Sequence, residues 1–513
     1  MKKSRIITMI FILTFMTVGF MGPTGCRTTI SGKVYDENRN PVHGVTVAVE
    51  DSYPVTTGAD GGYVIEGMAF GEHLLTATCG DKKAVKTISV SPVDSFSCQD
   101  VSVDIQFNNW KDIGIASAAG GGISSNSGDS EYPSVVVDSA GNPVAAWQDE
   151  TSGQWNIYVK SWDGQSWQET GSDSATDGGI TGNSGCSRYP AIAVNKTGGE
   201  IYVTWEKENP SGFIANSEIF IKKWDGISWQ EAGAGSASCG GISDNTGISK
   251  SPSIAMDNAG NPVIAWEDST PGNAEIYLKK YNGISWEELG GSVSGGGISG
   301  NAGSSRYPCI AVDGSGCPVA TWEDDTSGDV EIYVRKWDGE QWTEMGKGSA
   351  SGGGISDNAG YSIRPVLLTN DSGNVVVVWQ DYSSGNVEIY AKRWNGTNWE
   401  ELAGSASGGG LSDNSGDSCK PSAVIVDGGN ITVCWSDFSP LYGGIYVKQW
   451  DGMNWVELGD GSAAAGGISN SSGKAMNPSI ALDGSGDYFV VWQNTTEGHQ
   501  EIYGKKWLGK TTE

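Results

Sequence analysis

The stretch PSIAMDNAGNPVIAWEDSTPGNAEIYLKKYNGISWEELG, residues 252–290, decides the fold. It divides into four segments of strand character. Residues 252–256 run to a turn at 258–261, residues 262–266 return and end in Trp266, residues 275–281 run out again, and residues 286–289 close behind the Asn282-Gly283 turn. Turn residues at each junction, with branched and aromatic residues between, make this four antiparallel strands. The phrase occurs seven times, led by Pro133, Pro190, Pro252, Pro308, Pro365, Pro421 and Pro478, at spacings of 57, 62, 56, 57, 56 and 57 residues. Such regularity marks one supersecondary unit copied in tandem.

Runs such as Val375-Val376-Val377-Val378-Trp379 are apolar at consecutive positions, which an antiparallel strand tolerates only when both faces are buried. Sheets stacked face to face around an axis meet that condition. The predicted fold is therefore all-β, with a seven-bladed β-propeller over residues 107–513. The last copy has three strands, and the phrase Asn109-Trp110-Lys111-Asp112-Ile113-Gly114 matches the fourth-strand phrase Asn454-Trp455-Val456-Glu457-Leu458-Gly459 of the sixth. The ring is expected to close by pairing of the N-terminal strand with the C-terminal three. Closure removes two open edges at a loop-entropy cost that grows slowly with length.

Composition agrees with turn-rich β structure: 76 Gly, 21 Trp and 18 Tyr in 513 residues. A formal charge of -29 argues against nucleic acid as a partner, because phosphate neutralisation needs concentrated Lys and Arg. Residues 1–26 read as an export signal, with Lys2, Lys3 and Arg5 ahead of an apolar run. Pro23-Thr24-Gly25-Cys26 resembles a bacterial lipobox, departing from it at Pro23, and the resemblance implies lipidation at Cys26. The expected location is the bacterial cell envelope, as a lipoprotein, or the medium as a secreted protein, with membrane attachment only through lipid. Of the nine cysteines, Cys79 with Cys98 and Cys186 with Cys239 are possible pairs that spacing does not decide.

Residues 27–106 read as a separate β-domain. Ile30-Ser31-Gly32-Lys33-Val34 alternates as a strand, and Thr56-Thr57-Gly58-Ala59-Asp60-Gly61-Gly62-Tyr63 turns into Val64-Ile65. These phrases resemble the carboxypeptidase regulatory-like (transthyretin-like) β-sandwich, a family that mostly supplies accessory modules, and imply no peptidase activity. The repeat region resembles Trp-rich seven-bladed propellers, among them sugar-binding lectins. Its hairpins, such as Trp162-Asp163-Gly164-Gln165-Ser166-Trp167, are similar to the Asp-box of sialidase-type propellers but have Asp and Gly adjacent.

Turn geometry puts the inter-blade crossings and the second turns at one end. That end is the expected binding face, with Asp149, Glu267, Asp268, Glu323, Asp324, Asp381 and Asp437 as candidate ligand-binding residues in the second turns. Asp and Asn there are oxygen donors of the type calcium takes, and also plain turn formers; no cofactor is expected beyond that candidate. Arg188, Arg306 and Arg364, with Lys250 and Lys420, fall just before the leading prolines, where the crossings approach the axis. Guanidinium groups grip carboxylates in bidentate fashion, so these are candidates for an acidic sugar, against the plainer role of offsetting nearby acids. The repeated Trp147, Trp205, Trp266, Trp322, Trp379, Trp435 and Trp492 read as blade packing.

Only three histidines, His43, His73 and His499, leave little material for a Ser-His-Asp triad or a multi-His metal site. The primary reading is an exported recognition or adhesion protein binding glycan or a surface protein through repeated shallow sites, acting by avidity. The alternatives are a sialidase-like glycoside hydrolase and a scaffold without a small ligand. The sialidase resemblance demands a Tyr beside the arginines, and Tyr132, Tyr189 and Tyr307 lie near them at positions read as structural.

Overall fold

The computed structural model describes residues 28–508 apart from 36–39, 50–52, 69–70, 80–81, 91–100, 104, 107–109, 115–116, 184, 210–215, 427, 440–442, 465, 471–472 and 497. The signal segment, Cys26 and Cys98 lie outside the described residues. Cys79, Cys186 and Cys239 are free thiols. The chain forms two compact units, Met1–Gln106 and Phe107–Glu513.

The first unit is a sandwich of two four-stranded sheets. Thr28–Tyr35 pairs antiparallel with Gly62–Met68, and Gly71–Cys79 pairs with Thr46–Val49 and Lys82–Val90. Alternation along these strands turns Ile30, Val34, Val47, Tyr63, Ile65, Leu75 and Ala77 into a shared core, each at most 4% exposed. The Thr57 hydroxyl fastens the entry to the second strand by donating to the Val42 carbonyl and accepting from the Val45 amide.

The second unit is seven four-stranded antiparallel sheets, the blades, which are numbered here in chain order. In the third, the strands are Ser249–Met256, Pro262–Asp268, Glu275–Tyr281 and Trp286–Glu287. The inner strand of each blade packs on that of the next, and Lys474–Leu482 of the seventh packs on Ser130–Val137 of the first. In the seventh sheet the fourth strand is Trp110–Asp112, paired antiparallel with His499–Trp507, so that Trp110 faces Trp507.

Apolar runs become fully buried second strands: all seven residues of Val375–Asp381 are buried. The seven strand tryptophans are at most 2% exposed, so they are packing residues. The hairpin tryptophans pair across their turns, as Trp162 with Trp167 at 6.0 Å between ring centroids.

Two repeated inter-blade hydrogen bonds hold neighbouring sheets together. The indole N–H of Trp167, Trp229, Trp286, Trp342, Trp399 and Trp455, and of Trp110 in the seventh blade, donates to a backbone carbonyl of the preceding blade at 2.7–3.1 Å. Lys160, Lys222, Lys279, Arg335, Lys392, Lys448 and Lys505 reach back to a carbonyl in the crossing loop at 2.7–2.8 Å. Trp110 therefore does in the last blade what the hairpin tryptophan does in the other six.

Inner strands begin three residues before the expected proline, four in the seventh blade, because each carries a bulge. Ser251 and Pro252 together face Trp266, and the register shifts between Lys250 and Ser253. The residue before each proline is left-handed: Tyr132, Tyr189, Ser251, Tyr307, Arg364, Lys420 and Asn477 have φ of 48–55°. The bulge re-aims these residues toward the axis, and this positions the site.

Candidate functional site

At the axis the inner-strand bulges surround an open cavity of about 710 Å³. Its lining includes Arg188, Lys250, Arg306, Arg364 and Lys420, with Tyr132, Tyr189 and Tyr307 and the carboxylates Glu206, Glu208 and Glu267. A chain of net charge -29 thus collects five cations in one cavity. The cations come from five consecutive blades, the second to the sixth.

Strand pairing explains the order beneath them. Arg188 lies opposite Glu206, Lys250 opposite Glu267, and Arg306 opposite Glu323. These glutamates follow the buried strand tryptophan, and the equivalent residues elsewhere are Gln148, Gln380, Ser436 and Gln493. Side chains at this level accept the amide of the left-handed residue of the next blade. Tyr189 donates to Gln148, Ser251 to Glu206, Arg364 to Glu323, Lys420 to Gln380, Asn477 to Ser436 and Tyr132 to Gln493, at 3.0–3.2 Å.

Burial dominates the electrostatics. Glu206, 6% exposed, is pushed up to about 7, with the Ser251 amide and the Lys250 charge opposing the rise and Glu267 adding to it. Glu267 and Glu323 are raised for the same reason, against the pull of Arg306 with Lys250 and of Arg364 with Arg306. Burial lowers Lys420 to about 8, helped by the like charge of Arg364. Tyr189 is pushed up to about 12 by burial and by Tyr132 and Glu206.

Arg188 pairs with Glu208 at 3.3 Å and Arg306 with Asp325 at 3.9 Å. Arg364 lies 4.3 Å above the Tyr307 ring, and Tyr132 meets Tyr189 edge-on at 4.7 Å. Lys250, Arg364 and Lys420 form no ion pair among the described residues. Blades seven and one, which carry no cation here, present amides instead: Gln148 and Gln500 donate to Glu131 at 3.0 and 2.6 Å, and Asn477 donates to Gln493 at 2.7 Å.

Of the residues singled out in the sequence, Arg188, Arg306, Arg364 and Glu267 line this cavity, and Glu323 lies against Arg364 and Arg306 beneath it. Asp149, Asp268, Asp324, Asp381 and Asp437 do not belong to the binding face. They are 0% exposed, and each accepts the indole N–H of the tryptophan two residues earlier at 2.9–3.0 Å. Residues two apart share a strand face, so an Asp after Trp-x points into the blade stack with the Trp, not out at the turn. The loop asparagines expected to be free oxygen donors are engaged with the same carboxylates, as Asn301 with Asp324 at 2.6 Å. Among the described residues no group of three or more His, Cys, Asp or Glu could hold a metal ion.

Glu206 belongs to the same second-turn position as the candidate carboxylates, and its copy is marked by Lys207 where the others have an Asp or Asn. The three tyrosines at repeated positions are not interchangeable, since the left-handed positions around the axis read Tyr, Tyr, Ser, Tyr, Arg, Lys, Asn.

Residues 29–104 match the carboxypeptidase regulatory-like domain, and residues 115–290 match the BNR repeat-containing family member. The chain thus carries a carboxypeptidase regulatory-like domain followed by BNR repeats. No curated protein matches the chain. Among solved structures, a Dyadobacter fermentans protein of unknown function is 12% identical, with 74% of this chain and 94% of that one covered and a TM-score of 0.40. A Hadza microbial sialidase is 12% identical, with 93% and 92% covered and a TM-score of 0.38. A Fusarium graminearum α-L-arabinofuranosidase is 10% identical, with 74% and 92% covered and a TM-score of 0.38. Likenesses of this degree say nothing of ligand or reaction.

Proposed function

We propose that the axial cavity takes a carboxylate-bearing sugar and that the protein is a sialidase-like glycoside hydrolase acting on acidic glycans. One observation carries the reading: five cations converge on a single cavity beside Glu206, a buried carboxyl group pushed up to about 7. Arg306 and Arg364 supply the forked donors that a planar carboxylate accepts, and Lys250 and Lys420, which form no close ion pair among the described residues, add positive charge. Glu206 is then poised near neutrality to protonate the glycosidic oxygen as the bond to the anomeric carbon breaks. Glu267 on the adjacent blade is the second carboxyl group, which takes a proton from the water that attacks that carbon.

The test is incubation of the propeller-bearing chain with sialyl, glucuronyl and galacturonyl oligosaccharides, followed by chromatography for released sugar. Release is expected from one class, lost in Glu206→Gln while binding persists. No release from any class contradicts hydrolysis.

A second reading, recognition without turnover, is favoured by the Ser251 amide bonded to Glu206, since the same contact recurs at Gln148, Gln380 and Gln493 as a joint between blades. Saturable binding without product would support it. In either case the partner is a glycan, and the amino-terminal segment is proposed to export the chain and to leave Cys26 acylated at the cell envelope. Mass measurement of the mature N-terminus decides the anchor.

A further inference from the structure

Of the 21 tryptophans, all but Trp155 fall on two kinds of repeat position, the end of the second strand and the hairpin. Trp155 stands in the second turn of the first blade, immediately before the strand Asn156–Trp162, where the other copies have Ser217, Ala274, Val330, Val387, Gly443 and Gln500. It is half-buried, so part of the indole meets solvent on the face of the cavity mouth. The Arg188 guanidinium lies 5.8 Å from the centre of its ring. Arg188 is also part of the cavity wall, and Trp155 is therefore one side chain away from the cavity.

The surroundings are altered to match. The next residue is Asn156, where blades two, three, four, five and seven bury Glu218, Glu275, Glu331, Glu388 and Glu501. Asn156 accepts from the Thr181 hydroxyl at 2.9 Å and donates to Asn183 at 2.8 Å, and the crossing winds into a short 3₁₀ turn, Gly179–Thr181, unlike any other described crossing. A buried carboxylate found beneath most of the other second turns is thus removed beneath this one, and an anionic chain leaving the axis meets less opposing charge here.

We propose that Trp155 is the platform for the sugar that follows the acidic residue, so that the site reads at least two sugars and the chain leaves between blades one and two. This rests on the acidic-glycan reading of the axial cavity. The apolar C–H face of a pyranose packs on an indole, and Arg188 and Glu208 beside it offer a donor and an acceptor to ring hydroxyls. A Trp that merely propped Arg188 in place would influence the acidic sugar itself; a platform influences only its neighbour.

The test uses titration calorimetry on the full chain in a Glu206→Gln background, so that no probe is consumed. The probes are galacturonic acid and trigalacturonate, glucuronic acid and a glucuronyl disaccharide, and N-acetylneuraminic acid and its lactosyl glycoside. Trp155→Ala is expected to weaken the longer member of the bound pair about tenfold, to leave the monosaccharide unchanged, and to be largely rescued by Trp155→Phe. An equal loss for both members, or no loss for either, overturns the platform while the cavity reading stands. If none of the six probes binds, or if Arg364→Gln leaves binding intact, the cavity reading fails and the platform falls with it.

Discussion

The indole N–H of Trp322 donates to the carboxylate of Asp324, 3.0 Å away and two residues along the same fully buried strand. That carboxylate also accepts from Ser305 and Asn301 at 2.6 Å and from the Thr326 amide at 3.0 Å. It joins the inner strand, the second strand and the crossing loop of one blade. Asp324→Ala leaves these donors buried and unpaired, and should cost about 3–5 kcal/mol in urea unfolding, without changing glycan affinity where the variant folds. A cost within that of a surface substitution would contradict the structural role.

Gly346 and Ala403 are equivalent residues in successive blades. Gly346 has φ +88, and a Cβ there would lie 2.7 Å from Cζ3 of Trp394. Ala403 takes the same left-handed turn at φ 50, and Trp450, the counterpart of Trp394 in the next blade, is buried. Gly346→Ala should destabilise by about 2 kcal/mol, and Ala403→Gly should stabilise by about 1 kcal/mol, both read from denaturation midpoints. Effects of the same sign would contradict this account.

The pH dependence follows from Glu206, whose folded value of about 7 exceeds the ordinary 4.5. The folded state holds this proton more tightly, so its contribution to stability is full below about 4.5 and is lost as pH rises through about 7. Hydrolysis should fall over the upper part of the same window. Glu206→Gln should flatten that part of the stability profile. Lys420, lowered to about 8, loses its charge as pH rises through that value, so acidic-sugar affinity should drop above pH 8 and persist in Lys420→Arg. Unchanged affinity from pH 7 to 9 would exclude Lys420 from the site.

Trp110 donates to the Leu458 carbonyl at 3.0 Å and packs on Trp507 at 5.8 Å between ring centroids. Trp110→Ala should cost about 3–5 kcal/mol, as for a large core aromatic, although the residue lies far in sequence from the strand it completes. A negligible change in melting temperature would mean that the fourth strand of the last blade is dispensable.

The blades were legible because Pro and Trp recur at fixed spacing and because a run such as 375–379 has no polar face. The bulge before each proline was not, since nothing local marks Ser251 or Lys420 as left-handed; it arises where an inner strand must bend toward the axis. The arginines could be seen as a group because all precede a proline. The tyrosines could be seen beside them for the same reason, but the pairing with Glu206 depends on cross-strand register, which spacing in sequence does not reveal. The aspartates were misplaced for the opposite reason: Asp324 adjoins a turn in sequence, while strand alternation buries it beside Trp322.

Stoichiometry tests the central claim most directly. Titration of the full chain with the acidic oligosaccharide it binds should give one site per chain, abolished in Arg364→Gln and weakened by salt. Several equivalent sites per chain, or one site indifferent to Arg364→Gln, would contradict an axial cavity as the place of recognition.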